Sequence, residues 1–294
     1  MIERRNCSLD ELYSRVSEIT KQVLYPYMKE EEISTLNYHF HYYFNYCVHE
    51  NNIQVISHHF SNHKIEGLTV IDELGTSFSY EHDNPVTKRN FTLCHELGHF
   101  ILKHEGSYFT ESVDNQESIL EREANVFSAI VLMPDIVLLS KIYYSCDSFQ
   151  KVKEDLEVSK QALYFRLLDL LREFFPNKED RIKKAIGNYI VGQNVALVHL
   201  FSEIKKQLIE EFNQYKPCLK KQIENYVNRE GFASSTDFPE LLDQNKWKDL
   251  KEGIQNLKIW LIYNKGRSVA YAWDRTKLSD KDARRKAEFQ MSLM

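Results

Sequence analysis

The chain has 294 residues, 43% of them hydrophobic and 13% aromatic, which is enough apolar chain for one large or two medium domains and excludes wholesale disorder. Lys plus Arg (38) nearly balance Asp plus Glu (43), for a net charge of −5, so there is no global basic field to hold nucleic acid. Five widely scattered cysteines, none in a CxxC pair, exclude a disulfide framework and a thiolate metal site.

Leu9, Leu12, Val16 and Ile19 predict a helix over 8–30. Ile33, Leu36, Phe40, Phe44 and Cys47 predict a second over 33–49. Strand-like runs follow at 53–60, 68–74 and 77–80, punctuated by Gly67 and Gly75. Asn84 and Pro85 mark the start of a helix running to about His104. A further helix, from about Glu117, ends at Met133 because Pro134 cannot continue it. Residues 147–175 read as helix, turn, helix, with Ser159 capping the second. The character changes near 190, where two charged amphipathic helices (194–214, 218–229) precede a hairpin of KIWLIY and SVAYAW around Asn264-Lys265-Gly266-Arg267. The charged end from Asp274 reads as a solvated helix or a frayed tail. These readings divide the chain into a core at 1–135, a helical module at 136–190, and an accessory region at 191–294. No apolar run is long enough to span a membrane, and the charged N-terminus lacks a signal core, so the expected location is the cytoplasm.

Chemistry concentrates in His95-Glu96-Leu97-Gly98-His99. On a helix, His95 and His99 lie within about 40° of each other and ~6 Å apart along the axis, so both can face one Zn²⁺. Glu96 sits one residue round, poorly placed as a ligand but able to take a proton from water activated at the metal. Composition alone would produce this pattern about 0.04 times in such a chain. A third ligand is needed, and Glu121 and Asn125 share one face of the next helix. Glu121 is the preferred ligand over Glu123, which points away from that face, and Asn125 is placed to buttress a histidine. Two histidines and a carboxylate can also hold Fe²⁺ or Mn²⁺; zinc is favoured because HExxH is its usual helix-borne form.

RNFTLCHELGHFILKH (89–104) followed by EREANVFSAIVLMP (121–134) closely resembles the ImmA/IrrE family of metallo-endopeptidases. The resemblance covers about residues 50–135. It implies an α+β fold, a minimal thermolysin-like zincin core with a small sheet, followed by mainly helical modules. It also implies Zn²⁺ on His95, His99 and Glu121, with Glu96 as catalytic base. The protein partner it implies is a helix-turn-helix repressor, cut to release stress-response or mobile-element genes. Cys94 and Ser128 stand where the family has alanine; both are small, and Cys94 reads as an inert buried residue.

Other features are less specific. SFSYEHD (77–83) is expected as the strand beside the cleft, either an edge strand able to pair with extended substrate or a core strand. Lys151, Lys153, Lys160, Arg166 and Arg172 could meet phosphates, but Glu154, Asp155, Glu157 and Asp169 interleave with them and argue against direct DNA binding. His39 and His41, two apart on a predicted helix, point to opposing faces and are not expected to share a metal. His58, His59, His63, His82, Tyr80 and Tyr108 are the candidates to stabilise an oxyanion. The rival reading is a non-proteolytic regulator that sequesters a repressor or binds DNA; a further one is a toxin–antitoxin or phage-borne component on the same fold. Oligomeric state is not encoded in any of these patterns.

Overall fold

A computed structural model describes residues 9–60, 65–73, 75–104, 106, 108–112 and 118–293. Cys7, His63 and the side chain of Tyr108 lie outside the described residues. The chain forms two compact units, 1–216 and 217–294.

The first unit opens with α1 (Leu9–Glu30), which buries Leu12, Val16, Leu24 and Met28. Helix α2 (Phe40–Glu50) starts later than the apolar spacing predicts: Leu36 is exposed, and His39 is the extended residue that caps the helix. Three strands follow, β1 (Gln54–His58), β2 (Ile65–Asp72) and β3 (Gly75–Glu81), joined by an unanticipated β4 (Tyr108–Ser112). The sheet order is β1-β3-β2-β4, with β1 parallel to β3 and the other pairs antiparallel. Segment 77–80 is therefore interior and cannot pair with substrate as an edge strand; its ladder positions are taken by β1 and β2.

Helix α3 (Val86–Ile101) begins after Pro85, one residue later than expected, and its buried face carries His95, Glu96 and His99. Helix α4 (Ile119–Leu132) is capped by Ser118, whose hydroxyl accepts from the Glu121 amide at 3.2 Å, and it stops at the Met133-Pro134 pair. Two short helices, α5 (Asp135–Leu139) and α6 (Phe149–Asp155), lead to α7 (Lys160–Phe174), which Ser159 caps as the sequence indicates. Helices α8 (Glu179–Ile190) and α9 (Val195–Gln214) complete the unit. The compact division falls at 216/217 rather than near 190, because α9 buries Leu197, Leu200, Phe201, Ile204 and Leu208 in the first unit's core.

The second unit holds α10 (Leu219–Glu230), β5 (Phe232–Ser234), α11 (Trp247–Gly253) and the hairpin of β6 (Leu257–Asn264) and β7 (Arg267–Asp274). Lys265 and Gly266 turn that hairpin with φ of 49° and 82°, the positive values that a two-residue turn between twisted strands requires. Its sheet order is β5-β7-β6. The charged C-terminal segment is neither solvated on all sides nor frayed: α12 (Asp280–Leu293) buries Ala283, Ala287 and Met291 against Val269, Tyr271 and Trp273. Among the described residues, no single helix is long and apolar enough to cross a membrane.

The first unit's helices share a buried charge cluster. Asp135 meets Lys21 at 2.7 Å and also Arg166, all three almost fully buried. Arg166 further donates to the Met133 carbonyl at 3.1 Å and to the Tyr13 hydroxyl at 2.8 Å. Arg166 is thus a core residue, not a phosphate contact; Lys151 and Arg172 are engaged by Asp155 and Glu179. Burial favours protonation of Asp135, but the Lys21 and Arg166 charges overcome it and hold the carboxyl below its usual range. Asp135→Ala strands two buried cations and is expected to cost about 3–5 kcal/mol in denaturant unfolding followed on the first unit. Because the folded-state pKa of Asp135 is depressed, its contribution is full above the ordinary carboxylate range and lost as pH falls through the folded value.

Candidate metal centre

The crossing of α3 and α4 builds the site. A Cβ on Gly98 would lie 3.1 Å from Phe127 and 3.2 Å from the Ala124 backbone, so these two small residues let the helices approach closely. That approach brings donors from both helices together. His95 Nε2 and His99 Nε2 are 3.0 Å apart; Glu121 Oε2 lies 3.0 Å from His95 Nε2, and Glu121 Oε1 lies 3.5 Å from His99 Nε2. Tetrahedral bonds of about 2.0–2.1 Å imply donor separations of ~3.3 Å, so two imidazoles and a carboxylate so spaced fit a zinc-type ion. Burial favours protonation of Glu121, but hydrogen bonds from His95 and His99 outweigh it and pull the carboxyl down to about 2. Burial lowers the His99 pKa against the pull of Glu121, which favours the neutral imidazole that a metal needs.

The surrounding hydrogen bonds orient these donors. Asn125 Oδ1 lies 2.9 Å from His95 Nδ1, the buttressing position the sequence suggested. The support for His99 was not anticipated. His99 Nδ1 is 2.8 Å from His104 Nδ1, His104 Nε2 is 2.8 Å from Glu123 Oε2, and Arg15 pairs with the other Glu123 oxygen. With His99 Nε2 facing the donor cluster, the consistent tautomers have His99 Nδ1–H donating to His104, and His104 Nε2–H donating to Glu123. Burial would raise the Glu123 pKa, but hydrogen bonds from His104 and Arg15 bring it below its usual value. Glu123 is thus the far end of a hydrogen-bonded relay that runs through His104 to His99. The signal was in the sequence: His104 ends the 89–104 block, five residues after His99.

Glu96 is fully buried beneath β2. Its Oε2 accepts from the Thr69 hydroxyl at 2.5 Å, and Gly67 lies so close that a Cβ there would come within 2.4 Å of Glu96 Oε1. A glycine at 67 is therefore a condition for Glu96 to occupy this position, a role that strand patterning does not announce. Beside His95, Glu121 and Asn125 opens a cleft of about 590 Å³, walled by Phe91, Val126, Ala129, Ala162 and Phe165. None of the described oxyanion candidates joins it: His82 bonds Ser57, His59 faces Glu81 and Asp83, and Tyr80 lines a different cavity. Cys94 is buried and burial pushes its thiol well up, which keeps it protonated and inert.

A buried HExxH pair, a carboxylate from the next helix and a cleft beside them together define a metallopeptidase-type domain. Residues 48–168 match the IrrE N-terminal-like domain of the peptidase M78 family, so this stretch of the chain is similar to the ImmA/IrrE metallopeptidases. Comparison with curated proteins and with solved structures found no match. The expected outcome for His104→Ala is a metal affinity about 10–100-fold weaker with the three donors intact, read by competition with a chromophoric chelator.

Proposed function

We propose that the chain is a zinc-dependent endopeptidase whose substrate is a helix-turn-helix transcriptional repressor. The observation that carries the reading is the convergence of His95, His99 and Glu121 to within 3.0–3.5 Å, with Glu96 on the adjacent helical position and a cleft alongside. His95, His99 and Glu121 would hold the ion, which when bound supplies Lewis acidity toward water and a peptide carbonyl. The protein's own part is proton handling and orientation. Glu96 takes a proton from the attacking water and returns it to the leaving amine. The Thr69 hydroxyl fixes one carboxylate oxygen of Glu96. The cleft walls combine apolar Phe91, Val126, Ala129 and Phe165 with charged Glu66, Lys88 and Asp169, and β4, the edge of the sheet beside β2, is the strand we assign to pair with an extended substrate backbone. The similarity of residues 48–168 to the IrrE N-terminal-like domain supports a repressor as the substrate class and control of stress-response or mobile-element genes as the outcome.

Glu96→Gln should keep its metal and lose cleavage by about 10²-fold or more; retained cleavage removes Glu96 as the base. Glu121→Ala should lose metal far more completely than Glu123→Ala, and the reverse order would reassign the third donor. Expressing wild type and Glu96→Gln in the native host, and comparing protein termini by mass spectrometry, tests the substrate. A DNA-binding protein cut only by wild type is expected. Unchanged termini, with both forms holding the same partner, would replace cleavage by sequestration.

A further inference from the structure

A second cluster of donor atoms lies on another face of α3, away from His95 and His99. His39 precedes α2 in an extended conformation (φ −138°, ψ 134°), so the His39-Phe40-His41 triplet does not follow helical geometry at its first residue. The two imidazoles, expected to diverge, instead converge, with Nδ1 atoms 3.0 Å apart. Glu157 joins them from the turn between α6 and α7, its Oε2 3.2 Å from His39 Nε2, the ring nitrogen opposite the one that faces His41. One donor atom from each of the three residues lies within 4.8 Å of the others. Tetrahedral bonds of about 2.0–2.1 Å bring donors to ~3.3 Å, so closure needs movements of up to about 1.5 Å from partly exposed side chains.

The surroundings also suit an ion. The Asn90 amide, itself buried, donates to Glu157 Oε2 at 3.2 Å and to the Glu157 carbonyl at 3.3 Å, orienting the carboxylate as an outer-shell group does. Glu157 holds this position in a left-handed backbone conformation, φ 49°, uncommon for a residue with a side chain. A cavity of about 460 Å³ opens on the three donors and leaves room for water ligands.

We propose that His39, His41 and Glu157 form a second site for a divalent first-row transition ion, distinct from the His95–His99–Glu121 set. Two imidazoles and one carboxylate suit Zn²⁺ and its neighbours better than Ca²⁺ or Mg²⁺, which prefer all-oxygen shells. The site joins the N-terminus of α2 to the α6–α7 turn. That same turn supplies Val158 and Ser159 to the cleft beside His95, so an ion here fixes one wall of the cleft without entering it.

Native mass spectrometry of the full chain with added Zn²⁺ tests the proposal independently of peptidase activity. Wild type should take two ions, and Glu121→Ala and His41→Gln one each. Saturation of wild type at one ion that Glu121→Ala abolishes overturns the second site, as does a His41→Gln variant that still takes two. One ion in wild type, retained by Glu121→Ala and lost from His41→Gln, supports this site and removes the catalytic donor set instead. Hydrogen exchange on unmutated chain covers the case in which His41→Gln does not fold. Zn²⁺ should slow exchange across 149–160 in wild type, and no slowing there counts against the site.

Discussion

The site rests on how closely two helices can approach. Where α3 crosses α4, a Cβ on Gly98 would lie 3.1 Å from Phe127 and 3.2 Å from the Ala124 backbone, so another carbon there presses its neighbours outward. Pressure at that seam acts on the His99–Glu121 spacing of 3.5 Å. The helix-borne histidines need only the period of α3; the third donor needs this crossing. Gly67 imposes the same kind of restriction on the other side, where β2 comes down onto Glu96. Two positions without side chains thus set the floor and the seam of the centre.

Further out, charge does what apolar packing alone would not. Asp135 begins α5 immediately after the Met133-Pro134 break, and its partners Lys21 and Arg166 come from α1 and α7. A buried carboxylate with two cations has narrow geometric demands, since each charge is costly if left unpaired. The Arg166 bond to the Met133 carbonyl ties that demand to the end of α4, the helix that bears Glu121 and Asn125. The position of α4 along its own axis is therefore coupled to α1 and α7 through polar contacts, while its tilt is set at Gly98.

Much of this was legible in the sequence where one residue type has one use. The HExxH spacing, the Ser159 cap, the Met133-Pro134 stop and the Lys265-Gly266 turn all express local backbone rules, and the structure has each of these elements where those rules put them. What escaped were features decided by tertiary partners. β3 has the alternation of a half-buried strand whether it is interior or edge, and only its neighbours decide. α12 looks like a charged tail because its buried stripe is Ala283, Ala287 and Met291, too small to stand out among lysines and arginines. His39 and His41 converge because α2 begins at Phe40, seven residues after the start that the apolar spacing predicts, and the capping conformation turns the His39 ring toward His41. Glu123 was weighed as a ligand because its partner His104 lies past the end of α3, beyond any helical projection.

The donors of the centre also lie close together along the chain. His95 and Glu121 are separated by 26 positions, and His95 and Asn125 by 30. Loop-closure entropy rises by about 0.6 kcal/mol per doubling of loop length, so bringing these groups together costs modestly less than assembling a site from distant segments. All of the donors, the base and their nearest supports except Arg15 are encoded between Gly67 and Asn125, upstream of α5 through α9. During synthesis the donor set is therefore complete as sequence before the helices that bury Asp135 have been made. Ion capture by the emerging chain can then precede, and bias, the docking of everything that follows.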